Sequence, residues 1–110
     1  MPPQSVEYHD ALDDAALEWI RVRIWIERGQ VTRFVVQYDT TLANERAAVV
    51  RYDTAHGSAH RDRMTRDVKQ LKDDLGGTLG TLSLADALET AEGDIRQNWR
   101  QYRRGYENQP

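Results

Sequence analysis

The chain has no cysteine, a single phenylalanine, three prolines and no long apolar run. Without cysteine there is no disulfide framework, no thiolate metal site and no cysteine nucleophile, a composition compatible with the cytoplasm. No stretch approaches the roughly 20 apolar residues that span a bilayer. The opening Met1-Pro2-Pro3-Gln4-Ser5 lacks the apolar segment of a signal peptide. A cytoplasmic location without membrane association is the expectation. A strong excess of either charge is missing too: Lys and Arg number 15 against 18 Asp and Glu, for a net charge of −3. The mean field is therefore slightly repulsive to nucleic acid, and any such binding must come from local groups.

What is present suits one globular domain. A chain of 110 residues, 39% hydrophobic and 30% charged, is large enough for a single core and too apolar for a disordered tail. Residues 1–16 read as an acidic arm or a short helix beginning near Asp10. Over 17–54 the pattern has period two. Ile20, Val22, Ile24 and Ile26 alternate with Trp19, Arg21, Arg23 and Trp25, and Phe34, Val36 and Tyr38 continue the even-numbered set. A third strand runs from about Arg46 to Asp53, with Ala48, Val50 and Tyr52 on the same side.

Opposed residues of an antiparallel pair share a face, so each pair must sum to an even number. Three-residue loops at 28–30 and 43–45 meet that condition. They set Ile26 opposite Thr32, Ile24 opposite Phe34, Val22 opposite Val36, Ile20 opposite Tyr38, Tyr38 opposite Val50 and Val36 opposite Tyr52. The other face then carries the rows Arg21–Gln37–Arg51 and Arg23–Val35–Asp53, flanked by Trp19 and Trp25. Past the third strand, Met64, Val68, Leu71 and Leu75 favour a short helix ending at Gly76-Gly77, with a charged strand as the competitor. Ser83 and Asp86 form a capping signal for a helix over 83–107. Its stripe is Leu84, Leu88, Ala91, Ile95, Trp99, Tyr102 and Tyr106. The expected fold is α+β: an antiparallel meander of three to four strands with this helix across its aliphatic face.

The chemistry concentrates at Arg51-Tyr52-Asp53-Thr54-Ala55-His56-Gly57-Ser58-Ala59-His60-Arg61-Asp62, read as a strand end running into a motif loop over 55–62. His56 and His60 titrate near neutrality and can remove and return protons, with Asp53 or Asp62 orienting a ring. Arg51 or Arg61 can stabilise charge building on a phosphate. On the adjoining sheet face, Trp19 and Trp25 offer stacking surfaces for unpaired bases, with Arg21 and Arg23 beside the backbone. A metal held by Asp53, His56, His60 and Asp62 ranks lower, because the spacing suits hydrogen-bonded structure better than ligation. No metal and no cofactor are expected. The bland alternative is that Arg51, Asp53 and Arg61 form an ion-pair lattice bracing the loop.

The motif, followed by Ser83-Leu84-Ala85-Asp86-Ala87-Leu88 and Asn98-Trp99-Arg100-Gln101-Tyr102, resembles a small, largely uncharacterised prokaryotic family. That family combines a β-meander, an R-Y-D-x-A-H-G-x-x-H-R-D motif and a terminal helix. The motif is also similar to one in TumE-like toxins of toxin–antitoxin pairs. Ser58, where a larger apolar residue is expected, and the charged stretch 61–74 depart from the pattern. The resemblance implies that the motif matters to the family and brings no established reaction. With the residues read above, the expectation is a toxin-like, RNA-directed protein with an antitoxin-like protein partner, at its sharpest a metal-independent ribonuclease centred on His56 and His60. The alternative is a non-catalytic interaction module.

Overall fold

A computed structural model of the chain describes residues 4–55, 58–64, 70–73 and 82–108. Among them six strands, β1 (Gln4–Ala11), β2 (Glu18–Glu27), β3 (Gln30–Leu42), β4 (Glu45–Ala55), β5 (Ser58–Met64) and β6 (Gln70–Asp73), precede one helix, α1 (Leu84–Glu107). The strands lie in chain order in a single antiparallel sheet. The α+β meander is confirmed, with more strands than the alternation of apolar residues revealed.

The central register is the expected one except at Ile26, which faces Val31 rather than Thr32 because the ladder shifts by one residue there. Ile24 faces Phe34, Val22 faces Val36 and Ile20 faces Tyr38, and Tyr38 then faces Val50 with Val36 facing Tyr52. It is reached by another route. Each hairpin has a two-residue turn, Arg28-Gly29 or Ala43-Asn44, with all four residues at positive φ. That is the left-handed geometry whose twist suits a tight hairpin. Such turns make opposed pairs sum to odd numbers, as in Glu27 with Gln30 and Leu42 with Glu45. One extra residue in each ladder restores even sums: a bulge between Trp25 and Ile26 in the first, and one between Tyr38 and Asp39 in the second.

Three expectations are corrected. Residues 4–11 form neither an arm nor a helix; they pair with β2 along their whole length. Most of β1 is exposed, so it shows little apolar alternation, and the backbone edge of β2 holds it. The turn that follows is closed by the Asp13 carboxylate, which accepts from the amides of Leu17 and Glu18 at 3.0 Å each. Next, the motif is a hairpin rather than a loop. β4 continues to Ala55 and β5 starts at Ser58, and only His56 and Gly57 lie outside the described residues. Finally, Met64 belongs to β5 and Leu71 to β6, so at the described positions the competing strand, and not the helix, is what forms. Their strands pair with one another; Val68, Leu75, Gly76 and Gly77 lie outside the described residues.

Helix α1 is capped by Ser83, whose Oγ accepts from the Asp86 amide at 3.1 Å. It buries Ala87, Ala91, Ile95, Trp99 and Tyr106 chiefly against β3, with β4 and β5 beside it. Opposite them lie Ile20, Val22, Phe34, Val36, Tyr38, Val50 and Tyr52, all buried. Leu84, Leu88 and Tyr102 are half-buried at the margin of this core. Among the described residues no helix is long and apolar enough to cross a membrane.

Candidate nucleic-acid interface on the open sheet face

Because α1 covers one face, the side chains that alternate away from the core form an open face. Its first row runs His9, Arg21, Gln37, Arg51 and Asp62 across β1 to β5, and the next runs Glu7, Arg23, Val35, Asp53 and His60. Both rows predicted across the three central strands are thus present, each extended by β1 and β5.

The two tryptophans of β2 are clasped by cations. Trp25 lies opposite Arg33, and the guanidinium carbons of Arg23 and Arg33 sit 4.6 and 4.4 Å from its ring centroid. Trp19 has the Arg46 guanidinium at 4.4 Å and the His9 ring at 5.3 Å, tilted by 33°. Its Nε1 donates to the Ala16 carbonyl at 2.9 Å, which fixes the indole. Arginine stacked on an aromatic face is attracted by the ring quadrupole and presents its own flat surface outward.

Arg46 reaches this face because of the second bulge. Below it the pairing becomes Thr40 with Ala47 and Thr41 with Arg46, so an even-numbered residue of β4 joins the odd-numbered set of β3.

Between the tryptophans a polar chain crosses the sheet. Arg21 Nε meets Asp39 Oδ2 at 2.8 Å. Gln37 Nε2 donates to Asp39 Oδ1 at 2.6 Å, and Arg51 Nε donates to Gln37 Oε1 at 2.9 Å. Asp39 and Gln37 are only 3% and 6% exposed, so a buried carboxylate holds Arg21 directly and Arg51 through the Gln37 amide. Asp39 is the member that sequence reasoning missed. The odd-numbered alternation carries straight on from Gln37, and the strand simply runs longer than its aliphatic residues. A shallow depression of about 460 Å³ lies over this region, lined by Arg21, Arg23, Trp25, Arg33, Arg51 and Asp53 among others.

The expected catalytic set is divided by strand parity. Asp53 faces His60 across the β4–β5 ladder and Arg51 faces Asp62, so these four gather on the open face. Arg61 does not join them. Adjacent residues of a strand point to opposite sides, and Arg61 donates from Nη1 to the Tyr102 hydroxyl at 3.1 Å on the helix side. His56 lies outside the described residues. Asp62 is 6% exposed, and its Oδ1 has no hydrogen-bond partner among the described residues. Among the same residues no group of three or more His, Asp or Glu is placed to hold a metal ion.

Polar groups on the covered face behave differently, since each carboxylate near the core meets a hydroxyl. Glu18, fully buried, accepts from Tyr38 at 3.0 Å and from Thr40 at 2.5 Å, with Arg103 at 3.2 Å. Asp94 accepts from Tyr52 at 2.5 Å, from Asn98 at 2.8 Å and from Tyr102. Tyr8 donates to Glu92. Burial, reinforced by the neighbouring carboxylate, pushes the Tyr38, Tyr52 and Tyr102 hydroxyls up from the usual phenol range, and Tyr8 up to about 12. These phenols are neutral donors that brace helix to sheet.

A family model described as a domain of unknown function, DUF7718, matches residues 1–110. The chain belongs to that family. No curated protein and no solved structure matches it. For this DUF7718 member the function must be argued from the open face itself, where five arginines (21, 23, 33, 46 and 51) and two tryptophans share the surface with Glu7, Asp39, Asp53 and Asp62.

Proposed function

We propose that the protein binds single-stranded RNA across the open face of its sheet, as the RNA-directed member of a toxin–antitoxin-type pair. The observation that carries this reading is the placement of Trp19 and Trp25 on one strand, Trp25 between two guanidinium groups and Trp19 beneath one, on the face that α1 leaves uncovered. Unpaired bases stack on indole or guanidinium planes whatever their sequence. The arginines neutralise phosphate, and the intervening carboxylates limit how many phosphates are held, which predicts a shallow salt dependence.

Metal-independent cleavage is the sharper form of this reading. Asp53 and His60 oppose one another beside Arg51. In that form His60 takes the 2′-hydroxyl proton as the oxygen attacks phosphorus, a second acid returns a proton to the departing 5′-oxygen, and Arg51 steadies the phosphorane charge. His56 is the candidate for that acid.

A titration with labelled single-stranded RNA, scored for both binding and cleavage, tests both forms. Binding that weakens in Trp25→Ala, and cleavage that survives a chelator and is lost in His60→Gln, are the expected results. Absence of binding by the wild-type chain sinks the proposal. The second reading, a non-catalytic module for an antitoxin-like protein, is favoured by the Arg21–Asp39 pair, because an arginine neutralised within the sheet is worth less to phosphate. It predicts that the chain binds such a protein partner and leaves RNA alone.

A further inference from the structure

Strand β1 ends the sheet. Its inner side pairs with β2 from Gln4 to Ala11, and among the described residues nothing pairs with its outer side. Such an edge is a row of backbone donors and acceptors ready to take another strand, and it also displays Val6 at 48% exposure. We propose that two copies of this chain pair antiparallel through β1, on a dyad at Tyr8, to form one continuous sheet.

Symmetry and charge together select that register. A dyad relating two antiparallel strands stands perpendicular to their sheet and preserves its faces, so opposed residues must share parity. Centring the pair on Glu7 sets two carboxylates against each other, and centring it on His9 opposes two imidazoles. Centring it on Tyr8 sets Glu7 opposite His9 of the partner, twice, and keeps Ser5 to Ala11 within the ladder. Opposite-charge and hydrogen-bonding pairs of this kind stabilise a cross-strand contact, while like charges oppose it.

Glu7 and His9 both belong to the open face. The row Arg51, Gln37, Arg21, His9 would therefore continue into Glu7 and Arg23 of the second copy, leaving that Glu7 between a histidine and an arginine. Asp10 would face Val6 and keep its 2.7 Å contact with Arg96.

The helices allow this arrangement. Because α1 sits chiefly over β3, the two helices would be five strand spacings apart, about 24 Å, well beyond the roughly 8–10 Å of packed helices. The tryptophan strands β2 of the two copies would come within three spacings, about 14 Å, on one surface.

Sedimentation of the full chain at tens of micromolar should give twice the chain mass. Glu7→Lys, which sets lysine against histidine, should raise the dimer Kd by roughly tenfold or more. The swapped pair Glu7→Lys with His9→Glu should restore it. The lack of native cysteine permits a direct test of register. Tyr8→Cys on the dyad places two thiols about 4.5–5.5 Å apart between Cα atoms, within disulfide reach, and should cross-link when diamide takes up the two electrons and two protons released. Val6→Cys should not. Circular dichroism checks that Tyr8→Cys, which loses the bond to Glu92, still folds; if it does not, the charge swap decides. A monomeric wild type, a dimer indifferent to Glu7→Lys, a swap that fails to restore it, or Val6→Cys cross-linking as fast as Tyr8→Cys overturns the proposal.

Discussion

On the helix-covered face of the sheet, carboxylates near the core meet hydroxyl groups: Glu18 meets Tyr38 and Thr40, Asp94 meets Tyr52 and Tyr102, and Glu92 meets Tyr8. On the open face, cations lie over tryptophan rings, and a buried carboxylate anchors Arg21 from beneath while the Gln37 amide bonded to it anchors Arg51. The difference separates two jobs. A carboxylate satisfied by phenols out of water holds helix to sheet and offers little to a ligand. A guanidinium lying on an indole at the surface contributes little to folding and remains accessible to phosphates and bases. Stability should therefore be concentrated on one face and binding on the other.

The largest effect expected from breaking this division is on the covered face. Ile95 is fully buried among Ala91, Trp99 and the sheet core. Ile95→Ala should cost roughly 2–5 kcal/mol, the range for emptying a packed aliphatic site, read as a lowered urea midpoint at unchanged slope. RNA affinity measured under folding conditions should stay close to wild type. A loss below about 1 kcal/mol would mean that α1 is not the lid of the core.

How far the faces could be read in advance follows from where aliphatic residues are plentiful. The even-numbered series from Ile20 to Tyr52 has one buried side, and that was enough to predict the register of β2 to β4 and the partner face of α1. The bulges left no such mark. Inserting one residue costs no apolar contact, and only the left-handed turns Arg28-Gly29 and Ala43-Asn44 require it. Strands β1 and β5 are rich in charge, so their pairing is set by backbone edges more than by side-chain pattern. That is why the motif looked like a loop. It is also why the sequence groups Arg61 with His60, although the alternation of a strand sends them to opposite faces. The Trp19, Arg21, Arg23, Trp25 surface was readable because it is the complement of an aliphatic stripe. Arg46 was not, since a bulge turns it there.

A smaller effect, still on the covered face, is expected at high pH. A phenol whose folded pKa is raised adds stability that is complete below its ordinary value near 10 and is lost as pH rises through the folded value. For Tyr8 that window runs from about 10 up to about 12, and Tyr38, Tyr52 and Tyr102 shift in the same direction. Urea midpoints should hold steady up to the start of this window and fall within it. Tyr8→Phe should be less stable than wild type at neutral pH by about 1 kcal/mol, one hydrogen bond's worth. That gap should narrow across the window, because the variant has no hydroxyl there to ionise. A gap constant with pH would mean that the Tyr8–Glu92 bond is absent in solution.

The smallest stability effect belongs to the open face, where it gives the sharpest test of the comparison. Trp25 is held by two arginines and sits partly exposed at the margin of the shallow depression. Trp25→Ala removes two surface cation–π contacts, each worth about 0.5–1 kcal/mol at exposed positions, and the freed guanidinium groups regain water. Because that rehydration offsets much of the lost contact, the folding loss should stay below about 1 kcal/mol, under both the range for Ile95→Ala and the loss for Tyr8→Phe. A base stacked at that position contributes roughly 1–3 kcal/mol to single-strand binding, so affinity should fall about 5- to 150-fold. Arg33→Ala separates stacking from packing further, since it uncovers one partner of the ring and leaves the indole in place. If bases stack on the indole itself, Arg33→Ala should weaken RNA binding less than Trp25→Ala does. If they stack on the guanidinium, the two losses should match. Equal losses of stability and affinity for Trp25→Ala would remove the distinction between the faces, because the open face would then be structural as well.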